Sequence, residues 1–196
     1  FPYTTLFRSH ICQLSYITID ASTKPQQTIG KNFFFTVDEM DPAAEAVHGF
    51  SLEKLYDLSN GQYIEDLIEE FINDFSEADF VIGHNVNFDV RFLKLELEAM
   101  GIDYEPKNMF CTMQYYRDIC KILRPSGDYK NPKLEEVINF LGITKDQISS
   151  KANELFQGSG DYHDARFDTA ATYLLIIEGL KKGYIPRGYF SKKLLN

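Results

Sequence analysis

The order of hydrophobic patterns in this chain predicts a mixed α/β domain. Two β-branched and aromatic runs open it, and strand and helix patterns then alternate to its end. Its 196 residues suit one domain, and with 44% hydrophobic and 14% aromatic residues it has the material for a core. That composition excludes a disordered tail, a collagen-like chain and a disulfide-stapled miniprotein.

The first run, His10–Asp20 (HICQLSYITID), reads as a strand, with Gln13 and Ser15 alternating against Leu14 and Tyr16. Ala21–Gln27, with Pro25, reads as a turn. Lys31–Val37 (KNFFFTV) is the second strand, so the pair predicts a hairpin. Ser51 can N-cap a short helix through Leu58, which Asn60-Gly61 breaks. Over Gln62–Phe75, Ile64, Leu67, Ile68, Phe71, Ile72 and Phe75 fall on one helical face. Phe80–Gly83 is a buried strand, and Phe88–Met100 a helix stopped by Gly101. Phe110–Leu123 begins as a strand and continues as a helix. Asn131 and Pro132 cap a helix that Gly142 ends. Thr144–Gly160 is polar, contains Gly-Ser-Gly, and reads as a loop. Asp164–Lys182 is the last helix, with Lys181 and Lys182 at its favourable C-terminal end.

The formal charge of -9 argues against a general duplex-coating protein, which would need a basic surface. Its distribution is uneven: residues 38–105 hold 18 acids and 3 bases, and residues 106–196 hold 10 acids and 14 bases. Most of those acids read as a solvated face. The cations of the C-terminal segment (Lys181, Lys182, Arg187, Lys192, Lys193) read as a solvated tail that could contact phosphates or a partner. Cys12, Cys111 and Cys120 show neither a CxxC pair nor zinc spacing, which predicts reduced thiols and a cytoplasmic setting. No apolar run approaches ~20 residues and no leader is visible, so no membrane span is expected.

Two segments could carry chemistry. In VIGHNVNFD (Val81–Asp89) a buried strand gives way to a helix, and Asp89 falls at the junction, where α/β sheets commonly bind ligands. In YHDARFD (Tyr162–Asp168) His163 precedes the last helix and Asp168 lies about one turn into it. Each residue also has a purely structural reading. Asp89 is then a first-turn carboxylate complementing the helix dipole, His163 a capping or core histidine, Asp168 a surface acid, and Asp164 an N-terminal acid with no further role.

Taken together, HNxxFD at a strand–helix junction and HxAxxD opening a later helix resemble the second and third motifs of the DEDDh, or DnaQ-like, exonuclease superfamily. That group includes bacterial proofreading subunits and RNase T. ICQLSYITID and KNFFFTV are similar to its second and third strands, AVHGFS (Ala46–Ser51) to the segment ahead of its first helix, and NPKLEEVINFLG to the helix before its third motif. The resemblance implies a ribonuclease H-like mixed sheet flanked by helices. It implies two Mg²⁺ or Mn²⁺ ions ~3.5–4 Å apart, held by carboxylates, which suit these hard cations. Asp89 and Asp168 would then be metal ligands and catalytic acids, and His163 the general base, a role suited to imidazole. His84, Asn85, Phe88 and His48 would bind the 3′-terminal nucleotide. The implied substrate is a single-stranded or frayed 3′ end of DNA or RNA, and a DNA polymerase is an implied partner.

One part of the pattern is missing. The family's first motif, a DxE pair followed by Thr on the first strand, is absent, and Asp20-Ala21-Ser22 lacks the second acid. Phe1–Ser9 (FPYTTLFRS) instead matches an in-frame translation of a sequencing adapter. The expected layout is therefore an artefact over 1–9, an N-terminally truncated exonuclease domain over 10–183 and a tail over 184–196. The first central strand and two of four metal-binding acids would be lost, leaving backbone groups unpaired. The chain is accordingly expected to be inactive and to fold poorly. The alternatives are a non-catalytic nucleic-acid-binding or interaction module on the same fold, and a different metal-dependent phosphoesterase.

Overall fold

A computed structural model describes residues 10–20, 22–23, 26–158, 160 and 163–194. The expectations for residues 1–9, Ala21, Pro25 and Tyr162 lie outside the described residues.

The two opening runs form an antiparallel hairpin, β1 (Gln13–Asp20) and β2 (Gln27–Phe34), paired from Gln13↔Phe34 to Asp20↔Gln27. Both strands are displaced from their predicted bounds, for identifiable reasons. The Ile11 amide donates to Glu96 Oε1 (2.9 Å) and so holds the chain ahead of β1 outside the ladder. Beyond β2, the Phe35 amide still donates to the Cys12 carbonyl (2.9 Å), but the Thr36 amide turns to the Gln62 carbonyl (2.8 Å), so Thr36 and Val37 leave the pairing while staying buried.

A helix α1 (Pro42–His48) follows, which the sequence reading did not single out. Asp41 caps it by accepting from the Ala43 amide, Pro42 stands in its first turn, and Gly49 ends it in a left-handed conformation. Ser51 caps α2 (Leu52–Ser59) as expected, and Asn60 ends it. The predicted helix over 62–75 starts as a 3₁₀ turn, Ile64–Leu67, and becomes α3 (Ile68–Glu77). Next come β3 (Val81–Gly83), α4 (Val86–Ala99), β4 (Met109–Cys111) and α5 (Thr112–Cys120). β3 and β4 pair in parallel.

The helix ended by Gly142 is α6 (Leu134–Leu141). It begins two residues later than Asn131 and Pro132 suggested, because the Glu136 side chain accepts from the Lys133 amide (2.7 Å) and sets the first turn there. The predicted loop at 144–160 is for the most part a helix, α7 (Lys145–Phe156). Thr144 and Gln147 form a reciprocal capping box (3.2 and 2.8 Å), and Ile148 and Ala152, one turn apart, are fully buried. The last long helix, α8 (Ala165–Lys181), is followed by a short α9 (Tyr189–Leu194) within the segment expected to be a tail. Ile185 is fully buried there, and Tyr189 and Phe190 pack edge-on to Phe110.

Two apolar clusters dominate the interior. One gathers Phe110, Tyr116, Val137, Ile148, Phe167 and Leu175 around α8. The other gathers Phe35, Phe71, Leu93, Leu97 and Tyr104 between the hairpin, α3 and α4. Among the described residues no ladder joins the β1–β2 pair to the β3–β4 pair. α8 packs on β1, where the Thr169 hydroxyl donates to the Ser15 carbonyl (3.0 Å). The Gln13 amide group accepts from the Ala165 amide (3.0 Å) and donates to Asp164 (3.1 Å). Backbone and side-chain groups on β1 thus find partners on a helix instead of a further strand.

Candidate active site

Asp89 is held at the β3–α4 junction by local geometry. Asn85 adopts a left-handed backbone (φ 76°) at the N-cap of α4 and turns the chain from strand into helix. Gly83 leaves room beneath the turn: a Cβ there would stand 3.3 Å from Asp89 Oδ2 and 3.1 Å from Val86 Cβ. A side chain there would press on both, and the turn or the carboxylate would have to give by a few tenths of an ångström.

Water reaches Asp89, yet protein atoms surround its carboxyl. That crowding pushes its pKa up to about 6, with the charge of Asp168 adding to the rise. The structure therefore brings the two acids of separate motifs, 79 residues apart in the sequence, into electrostatic contact. Asp168 sits in the first turn of α8. A carboxylate whose ionisation a second carboxylate opposes is part of a donor set suited to a hard divalent cation, which would offset their charge. Among the described residues no group of three or more His, Cys, Asp or Glu converges in a way that could hold a metal.

The residues around them serve different ends. His163 is exposed, in a left-handed conformation (φ 72°), one residue ahead of the α8 cap. Such a backbone is uncommon for a residue with a side chain and tends to persist where function requires it. Phe88, 57% exposed, stands beside Asp89 on α4 and stacks at a tilt on Phe92. His84 is tied into the protein at both ring nitrogens: Nε2 lies 3.0 Å from the Pro132 carbonyl and Nδ1 3.0 Å from Thr112 Oγ1. Burial lowers its pKa, which favours a neutral ring with Nε2–H donating and Nδ1 accepting. His48 stacks on Phe50 and accepts the Phe50 amide at Nδ1 (3.0 Å), and burial lowers its pKa as well. It lines a cavity of about 340 Å³ with Phe34, Phe50, Lys54, Asp164 and Arg166. His48 thus lies beside the start of α8, whereas His84 braces the opposite junction.

Several supporting residues had no signal in the sequence. Asp164 does more than open a helix. Its carboxylate accepts from the Arg166 amide (2.9 Å), from the Arg166 guanidinium (2.9 and 2.6 Å) and from Gln13 (3.1 Å). Burial works to raise its pKa, but these donors outweigh it and hold the carboxyl below its ordinary range. Gln13 and Thr112 belong with it, since each meets its partner only through tertiary packing.

A mixed α/β domain thus carries Asp89 at a strand–helix junction and Asp168 in the first turn of a later helix. The chain belongs to the exonuclease family that includes RNase T, whose sequence profile matches residues 7–175. Its architecture is consistent with the ribonuclease H-like fold of that family. Curated relatives include the PolC-type DNA polymerase III of Thermotoga petrophila and that of Thermotoga maritima, each 29% identical over 126 residues. The 3′-5′ exonuclease DinG of Staphylococcus haemolyticus is 26% identical over 125 residues. Each match covers 64% of this chain, but only 8% of either polymerase and 12% of DinG. Among the described residues no helix is long and apolar enough to cross a membrane.

Proposed function

We propose that this chain contributes the catalytic centre of a 3′→5′ exonuclease that hydrolyses phosphodiester bonds at single-stranded or frayed 3′ ends of DNA or RNA. The observation that carries this reading is the convergence of Asp89 and Asp168, the acids of HNxxFD and HxAxxD. Asp89 and Asp168 would hold Mg²⁺ or Mn²⁺. When bound, such ions stabilise the charge on the attacking and leaving oxygens of the displacement. His163, exposed ahead of α8, takes the proton from the attacking water. Asn85 and Phe88, beside Asp89, and His48, in its cavity beside α8, position the terminal nucleotide. His84 acts on the same nucleotide by fixing the turn that carries Asn85.

Two acids converge among the described residues where a two-ion centre uses more. We therefore expect this chain alone to bind metal and nucleic acid with little or no turnover. The PolC-type relatives support a polymerase as a partner. The three free thiols, Cys12, Cys111 and Cys120, suit a reducing cytoplasm.

Calorimetric Mn²⁺ titration, paired with a 5′-labelled oligonucleotide assay, tests the reading. Mn²⁺ binding that is lost in both Asp89→Ala and Asp168→Ala supports it, and any product ladder must shorten from the 3′ end. Absence of Mn²⁺ binding in the wild-type chain, or binding unchanged in both variants, overturns it.

A further inference from the structure

We propose that the segment 121–133 is a guide for the single strand leading to the 3′ end, with Leu123 and Tyr129 as a base-stacking platform and Lys121, Arg124 and Lys133 as phosphate contacts. The proposal rests on the exonuclease reading and adds a second contact region to it.

The segment is a small, closed hairpin. Leu123 and Tyr129 form an antiparallel bridge. The Arg124 amide donates to the Asp128 carbonyl (2.8 Å), Gly127 to Arg124 (2.9 Å), and Lys130 to Ile122 (2.8 Å). Directly opposed residues of such a pair share a face. Leu123 is 65% and Tyr129 40% exposed, so that face offers an apolar and an aromatic surface to solvent. A tight turn with fixed backbone bonds presents it at little further cost in order on binding.

Charge says what the face suits. The segment carries four cations and one carboxylate, Asp128, in a chain whose net charge is -9. Lys130 is spent on Glu136 (2.5 Å). Arg124 is exposed and in no ion pair among the described residues, and Lys121 and Lys133 are exposed on either side of the hairpin. Cations flanking an exposed aromatic are the combination that holds single-stranded nucleic acid: phosphates track the charge, and bases stack whatever their identity.

Placement links the hairpin to the site. Its base ends at buried Pro132, whose carbonyl takes the hydrogen bond from His84. His84 is also held by Thr112, whose hydroxyl lies 3.2 Å from the Gly83 carbonyl. The hairpin is therefore fixed to the same β3–α4 turn that carries Asn85 and Asp89. That anchorage is the ground for assigning this surface to the upstream nucleotides of a strand whose end sits at Asp89.

Fluorescence anisotropy with a fluorescein-labelled, 12-nucleotide single-stranded DNA, in EDTA so that nothing is cleaved, reads the contact. Tyr129→Ala is expected to weaken binding about tenfold. Arg124→Ala should reduce the slope of log affinity against log salt by about 0.7, the loss of one phosphate contact. Both variants should keep wild-type Mn²⁺ binding and wild-type competition by an unlabelled dinucleotide. Undiminished 12-mer binding in both variants overturns the proposal. So does a wild-type chain that binds Mn²⁺ and the dinucleotide but gains nothing from the longer strand, which would leave the exonuclease reading standing. A chain that binds neither Mn²⁺ nor any oligonucleotide overturns both.

Discussion

At Asp89 two effects push the same way, since crowding by protein and the neighbouring Asp168 both disfavour its charge. Relative to an unfolded chain in which this carboxyl has its ordinary value, the ionised group destabilises the fold. That cost is absent below about pH 4, grows as pH rises, and is complete above about 6. A bound divalent cation needs the ionised form and offsets the repulsion, so metal affinity rises over the same range. Mn²⁺ binding is expected to be roughly tenfold weaker at pH 5 than at pH 7. An affinity that stays flat between those values would mean Asp89 is not a ligand. The candidate site residues are legible in the sequence because HNxxFD and HxAxxD are local patterns. One of their supports is not: Gln13 reaches Asp164 and the Ala165 amide only when α8 docks on β1, and neither spacing nor composition encodes that contact.

The elements divide in the same manner. The hairpin, α2 and the termination of α6 at Gly142 follow from alternation, a serine cap and a left-handed glycine, all short-range signals. α7 was hidden because it buries only one narrow stripe, and its polar surface and following glycines read as a loop. What makes it a helix is a cap, Thr144 with Gln147, together with close packing on β2. A Cβ on Gly30 would lie 2.7 Å from the Leu155 carbonyl and 2.8 Å from Leu155 Cβ, so backbone meets backbone there. Gly30→Ala is expected to cost about 1–3 kcal/mol by overpacking this contact. Urea denaturation checks it, and an unchanged midpoint would show that α7 does not rest on the strand.

Over the whole molecule, stability in acid depends on carboxylates of the opposite kind to Asp89. At Asp74, burial works upward, but hydrogen bonds from Lys31 (2.7 Å) and Tyr16 (2.6 Å) outweigh it and lower the pKa. Asp164 is lowered in the same way by Arg166 and Gln13. A carboxyl whose folded value lies below its unfolded one contributes stability above about pH 4, and that contribution is lost as pH falls through the folded value. Asp74 ties α3 to the hairpin within one apolar cluster, and Asp164 ties α8, which belongs to the other, to the same hairpin. Circular dichroism is expected to show cooperative acid unfolding below about pH 4, shifted upward in Asp164→Asn. A variant that unfolds at the wild-type pH would remove this pair from the account. At this scale the mixed α/β class was readable from the order of patterns, but not the division into two strand pairs, which depends on what α8 covers.

The hold of Gln13 on the start of α8 has a consequence in time as well as in energy. The first amides of a helix lack intrahelical acceptors and normally exchange their hydrogens with water quickly. The Ala165 amide instead donates to a side chain of β1. Its exchange requires that hydrogen bond to Gln13 to break, so its rate measures how often that contact opens. Deuterium uptake at this one position would follow the opening of the segment that presents His163 and Asp168, with no substrate, metal or turnover needed.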